Sequence, residues 1–162
     1  FLVLSRPQPN QFVPFNLIEG LTEVAQFFQY ELQQKSITVN IMNEYSHMTI
    51  LGNKNQIKQV FINLFKNAIE AIPVDGIITV EVSKDEVGKD IYISVVDTGC
   101  GIPSHVLNRI FEPFYTTKTT GTGLGMVIIN KIIQDHNGTI KINSQLNVGT
   151  EILLSFPVLM EN

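Results

Sequence analysis

The chain has 162 residues, 44% hydrophobic and 16% charged, with a formal net charge of −4. This balance excludes a disordered chain and describes a globular domain with room for a core. It argues against a surface built mainly for nucleic acid, so an anionic ligand must be held by local features. The single cysteine excludes an internal disulfide and fits a reducing compartment. No signal peptide is recognisable, and no apolar run approaches the ~20 residues of a membrane span. The first residue is Phe1 rather than Met, and the first turn is already apolar, so a fragment of a longer chain is expected.

Residues 1–9 read as the end of a helix stopped by Pro7 and Pro9, and residues 10–14 as a linker. Residues 15–34 carry Leu17, Leu21, Val24, Ala25, Phe28 and Leu32 at helical spacing and predict one packing helix. Residues 36–43 alternate as a strand, and Thr49-Ile50-Leu51 is a second short apolar run ended by Gly52. His47 is expected to face solvent. Asn53 is placed to cap the next helix, which runs through Ile57, Val60, Phe61, Leu64, Phe65, Ala68 and Ile69 before Pro73 and Gly76. Residues 77–82 predict a strand, residues 84–90 a charged hairpin loop, and residues 91–96 a second strand that delivers Asp97 to its end. Residues 104–110 suggest a short helix. In Phe111-Glu112-Pro113-Phe114-Tyr115 the three aromatics predict a satellite hydrophobic cluster that tethers a mobile segment. Residues 126–134 predict a helix, and residues 139–144 and 150–156 a closing hairpin around Asn147-Val148-Gly149. The order predicts an α/β two-layer sandwich, with a mixed sheet of about five strands and three helices on one face.

Three features point to chemistry. Asp97-Thr98-Gly99-Cys100-Gly101-Ile102 turns sharply after a strand, and glycine lets backbone approach a ligand closely. Asn63 and Asn67 stand four apart beside a buried stripe, although asparagine disfavours helix interiors. They are either exposed polar residues or part of a site. Gly121-Thr122-Gly123-Leu124-Gly125 feeds a helix N-terminus, where free N–H groups and the helix dipole favour an anion. Together they read as a nucleotide site.

These segments carry a family resemblance. Residues 59–71, from Gln59 through Asn63 and Asn67 to Ala71, resemble the N box of sensor histidine kinases. Asp97 to Ile102 is similar to their G1 box, residues 111–118 to the F box, Gly121 to Gly125 to the G2 box, and Asn147-Val148-Gly149-Thr150 to the last glycine box. The motifs occur in family order over residues 15–157. Residues 1–9 resemble the end of the second dimerisation helix, and the overall flavour is that of sporulation-type kinases of Gram-positive bacteria. The resemblance implies the Bergerat-type ATP-binding fold shared by gyrase, the large ATP-dependent chaperones and mismatch-repair ATPases, with a C-terminal tail at residues 158–162.

It also implies roles. Asp97 would accept a hydrogen bond from the adenine amino group, directly and through a water that Thr150 helps to hold. Gly99, Gly101, Ile102, Ala71 and Tyr115 would line the ATP site. Asn67 would place its carbonyl oxygen on Mg²⁺, with Asn63 beside the same phosphates. Gly121, Thr122, Gly123, Leu124 and Gly125 would wrap the phosphates as a lid, with Lys66 and Lys118 neutralising charge. Catalysis would rest on Asn63, Asn67 and Lys118. Where hydrolysing relatives use glutamate, asparagine at 63 cannot act as a base. The phosphoacceptor would be a histidine on a separate dimerisation domain, because His47, His105 and His136 lack the family's acceptor context. Its partners would be that domain, in a homodimeric parent, and a response regulator. Nucleic acid is not expected. A cytoplasmic location would follow, with any membrane anchor elsewhere in the parent. Glu70 departs from the basic residue many relatives carry there. Two other readings remain open: an ATP-binding sensing or scaffold module without kinase chemistry, and a hydrolysing ATPase of the same fold.

Overall fold

The computed structural model describes residues 11–44, 48–115 and 125–159. The expected dimerisation-helix end at residues 1–9, His47, and residues 116–124 and 160–162 lie outside the described residues. Strand β1 (Val13–Asn16) leads into α1 (Leu17–Phe27) and α2 (Gln29–Gln34), followed by β2 (Thr38–Asn43) and β3 (Thr49–Gly52). Helix α3 (Lys54–Ala71) precedes β4 (Ile77–Lys84) and β5 (Asp90–Asp97). A short α4 (Ser104–Leu107), then α5 (Gly125–Asp135), β6 (Thr139–Gln145) and β7 (Gly149–Pro157) complete the order.

The main sheet has five strands in the order β2-β4-β5-β7-β6. Only β2 and β4 run parallel, joined across α3; the other neighbours are antiparallel, so the sheet is mixed. Helices α1, α3 and α5 pack side by side, with α3 in the middle. The two-layer arrangement expected from the element order is therefore the one observed.

The sequence drives this packing. Side chains along a strand alternate between faces, and one face here is hydrocarbon. Val80, Val95, Ile152 and Ile142 form one rung across four strands, and Val82, Ile93, Leu154 and Ile140 the next. Against them α3 places Ile57, Val60, Phe61, Leu64 and Phe65, each at most 1% exposed. Truncating one of these phenylalanines to alanine typically costs about 3–5 kcal/mol. The start of α3 is fixed by Asn53, whose Oδ1 accepts the Gln56 N–H at 3.1 Å. Its end is held by Lys35, whose Nζ donates to the Ile69 and Ile72 carbonyls at 2.7 and 3.0 Å.

Several local expectations are corrected. Residues 10–14 are not simply a linker: Val13 and Pro14 belong to β1, which pairs with β3 in a separate two-stranded sheet. The single helix expected over residues 15–34 starts at Leu17, with Asn16 Oδ1 accepting the Ile18 N–H at 2.9 Å, and breaks at Phe28. The break keeps Phe28 buried and stacked near Phe65, while Phe27 and Tyr30 on either side face solvent. The helix expected over 104–110 stops at Leu107. The aromatic cluster does not form among the described residues. Phe114 is 74% exposed and Phe111 is at the surface, while Tyr115 stacks under the Arg109 guanidinium.

His136 ties distant elements together. Its Nδ1 lies 2.7 Å from the Ile132 carbonyl, which can only accept, so Nδ1 carries the proton. Its Nε2 accepts the Asn53 N–H at 3.0 Å, and its ring stacks on Phe12. The neutral ring satisfies both contacts. Burial, the largest influence, holds its pKa below the ordinary 6.5. The folded state thus refuses a proton that the unfolded chain accepts, so this stabilisation is complete above pH 6.5 and is lost as pH falls below it. Urea titrations should record falling stability over that window and a flatter dependence in His136→Gln. An unchanged slope in the variant would assign the effect to other groups.

Candidate functional site

The two hydrocarbon rungs of the sheet are followed by a polar one. The next inward rung is Ile78, Asp97, Thr150 and Ser144, side by side on β4, β5, β7 and β6. Strand alternation that buries Ile91, Ile93 and Val95 therefore delivers the Asp97 carboxylate to the same face, only 8% exposed. Thr150, at 7% exposure, is its register partner. Asp97 Oδ1 accepts the Gly99 N–H at 2.8 Å. Burial raises the Asp97 pKa above the usual 3.8; the backbone bonds from Gly99 and Thr150 partly oppose that rise. A buried carboxylate with a raised pKa at the edge of an apolar core is a candidate for a functional role.

The turn after Asp97 is wedged between α3 and the β6–β7 hairpin. The Cys100 N–H donates to the Ala71 carbonyl at 2.9 Å, and the Cys100 carbonyl accepts the Asn147 N–H at 2.8 Å. A Cβ at Gly99 would come within 2.6 Å of the Ala71 Cβ. Gly101 has φ +76°, and a Cβ there would collide with the Gln145 carbonyl. Both glycines are therefore demanded by the close approach of the protein's own backbone and side chains, where the sequence alone suggests an approach to a ligand. Cys100 itself is exposed.

Ala71 sits one helical turn beyond Asn67, about 6 Å along α3. This places the asparagine edge next to the Asp97 turn. Asn63 and Asn67 are both half-buried, not simply solvated. Asn63 Oδ1 accepts from Gln59 Nε2 at 3.1 Å, and Asn67 Nδ2 donates to Met126 Sδ at 3.7 Å. The first turn of α5, with Gly125 and Met126, is thereby brought to the same edge. Lys66 and Glu70 are exposed on α3. Tyr115 and Ile102 are half-buried. Lys118 and residues 121–124 lie outside the described residues.

One member of this cluster is not singled out by sequence reasoning. Ser144 Oγ accepts the Ile102 N–H at 2.7 Å, lies 2.8 Å from Thr150 Oγ1 and donates to the Gly149 carbonyl at 3.1 Å. The signal that reveals it is the hairpin register, which sets Ser144 opposite Thr150.

The donor set fits a Mg²⁺–nucleotide pair. Among the described residues no three His, Cys, Asp or Glu side chains gather as a metal site. Mg²⁺ is commonly held by few protein oxygens, with phosphates and waters filling the shell, and the amides on α3 suit that role. The Asp97 carboxylate, a hydrogen-bond acceptor at the edge of the apolar core, suits the amine of a base. Among the described residues no helix is long and apolar enough to cross a membrane.

Comparison with known proteins agrees with this geometry. Residues 52–160 match the family described as histidine kinase-, DNA gyrase B- and HSP90-like ATPase. Sporulation kinase A of Bacillus subtilis is 40% identical over 157 residues, covering 96% of this chain. The chain spans only 26% of that relative's length. The catalytic domain of histidine kinase ThkA is 34% identical, with a TM-score of 0.82, and the match covers 91% of this chain and 95% of that one. ThkA in complex with the response regulator TrrA matches at 28% identity and a TM-score of 0.77, covering 91% of this chain and 42% of the other. The chain belongs to the histidine kinase-, DNA gyrase B- and HSP90-like ATPase family, and within it is homologous to the ATP-binding catalytic domains of sensor histidine kinases.

Proposed function

We propose that this domain binds ATP with Mg²⁺ and presents the γ-phosphoryl group to a histidine on a separate dimerisation domain of a homodimeric sensor kinase, for relay to a response regulator. The observation that carries the proposal is the buried Asp97 carboxylate at the polar end of the core, beside a turn closed by Gly99 and Gly101. The parent is placed with the sporulation-type kinases, its catalytic part in the cytoplasm and any membrane anchor outside this domain.

Asp97 accepts the exocyclic amine of adenine, and Thr150 holds the neighbouring water. The walls come from Ala71, Gly99, Gly101 and Ile102, with Tyr115 at the margin. Asn67 offers an amide oxygen to the metal, and Asn63 lies beside the same phosphates. Bound Mg²⁺ neutralises phosphate charge, as phosphoryl transfer requires. Gly121, Thr122, Gly123, Leu124 and Gly125 are assigned to the phosphates, with Lys118 and Lys66 supplying positive charge. Because Asn63 cannot activate water, the domain keeps ATP for transfer instead of hydrolysing it.

Two substitutions test this assignment. Asp97→Asn keeps an oxygen acceptor for the Gly99 N–H but adds an amide donor where the amine must dock. Calorimetry should register a loss of ATP affinity of about tenfold or more. The same variant should melt at a higher temperature without ligand. A carboxylate with a raised pKa contributes most below its ordinary 3.8, and that contribution is lost as pH rises through the folded value. At neutral pH the charge is therefore a cost that asparagine removes. Unchanged affinity would refute the adenine role. For Asn67→Ala, Mg²⁺ should no longer strengthen binding, and the full-length kinase should lose autophosphorylation. Normal phosphohistidine formation in that variant would refute the metal assignment.

A further inference from the structure

We infer that Ser144 is a specificity-determining residue of the base pocket: it consumes the Thr150 hydroxyl proton and so makes the floor beside Asp97 acceptor-only. This rests on the nucleotide reading above and extends it to a residue whose own side chain need not touch the ligand.

Proton counting carries the inference. A serine hydroxyl has one proton to give and two lone pairs to receive with. The Ile102 N–H, which can only donate, takes one lone pair at 2.7 Å. The Gly149 carbonyl, which can only accept, takes the proton at 3.1 Å. The remaining contact, 2.8 Å to Thr150 Oγ1, must then run from threonine to serine. Ser144 is thereby saturated, and Thr150 is left with lone pairs alone. Asp97, its neighbour on the same rung, also offers only lone pairs when ionised.

A floor of acceptors selects its ligand. Adenine presents an amine with two N–H donors at this edge. Guanine and hypoxanthine present a carbonyl oxygen, which meets lone pair with lone pair. The Ser144 hydroxyl thus acts as a proton sink, holding Thr150 in the orientation that penalises a 6-oxopurine. It also secures the Ile102 N–H and with it the backbone leaving Gly101. Removing the hydroxyl frees the Thr150 proton to turn towards the pocket, where it can serve a carbonyl oxygen.

The test measures ATP and GTP affinities of this chain by competition against a fluorescent ATP analogue, with melting temperatures recorded in parallel. Ser144→Ala should weaken ATP binding and narrow the ATP-to-GTP preference by about fivefold, the size expected for one redirected hydrogen bond. Ser144→Thr retains the hydroxyl and should restore the preference. A purely structural serine would lower the melting temperature and both affinities in parallel, leaving the ratio where it was. An unchanged ratio in Ser144→Ala, with ATP binding intact in the unmodified chain, would overturn this inference alone. An unmodified chain that binds neither nucleotide would overturn the nucleotide reading as well.

Discussion

The polar rung across the end of the sheet is the constraint on which the molecule depends. The same alternation that packs the core against α3 carries Asp97, Thr150 and Ser144 inward at its margin. The chain cannot remove these groups from the inner face without shifting register, and a shift by one residue would turn every core side chain outward. The polar end of the inner face is thus fixed by the same hydrophobic pattern that fixes the fold. The cost appears in the raised Asp97 pKa, since a carboxylate among hydrocarbon is paid for locally by only a few backbone N–H groups.

Around that rung, close backbone packing does what side chains do elsewhere. The turn from Asp97 to Ile102 is clasped by the Ala71 carbonyl on one side and Asn147 on the other. It therefore moves only with the end of α3 or with the β6–β7 hairpin. The asparagine edge of α3 lies one turn away on the same rigid helix. The Asp97 turn and the asparagine edge are accordingly set at a fixed spacing by a single element.

Much of this was legible in the sequence because the signals are local. The α3 stripe, its Asn53 cap and the alternation leading to Asp97 each occupy one continuous segment. What was missed depends on distant pairing. Strand β1 is four residues long, and Asn16 finds its partner only at Thr49. The break at Phe28 leaves no trace in the periodicity, because Phe28 is itself buried, as are Val24 and Leu32 on either side of it. Ser144 looks like any strand residue until the hairpin register sets it opposite Thr150. The aromatics of residues 111–115 were misjudged for a different reason: their sequence proximity was taken for mutual contact, while Phe114 adopts a positive φ and is exposed and Tyr115 packs against Arg109.

Helices α3 and α5 run antiparallel and meet at both ends through contacts of different chemistry. At the far end His136 receives the Asn53 N–H at 3.0 Å while bonding its own helix. At the other end the Asn67 Nδ2 donates to Met126 Sδ at 3.7 Å. Contacts to sulfur are weak and tolerant of angle, whereas a buried ring nitrogen bond is not. Helix α5 is therefore met at His136 by directional nitrogen bonds and at Met126 by a softer contact to sulfur. Over its 11 residues it is about 16 Å long, so a tilt of a few degrees displaces Gly125 by about 1 Å.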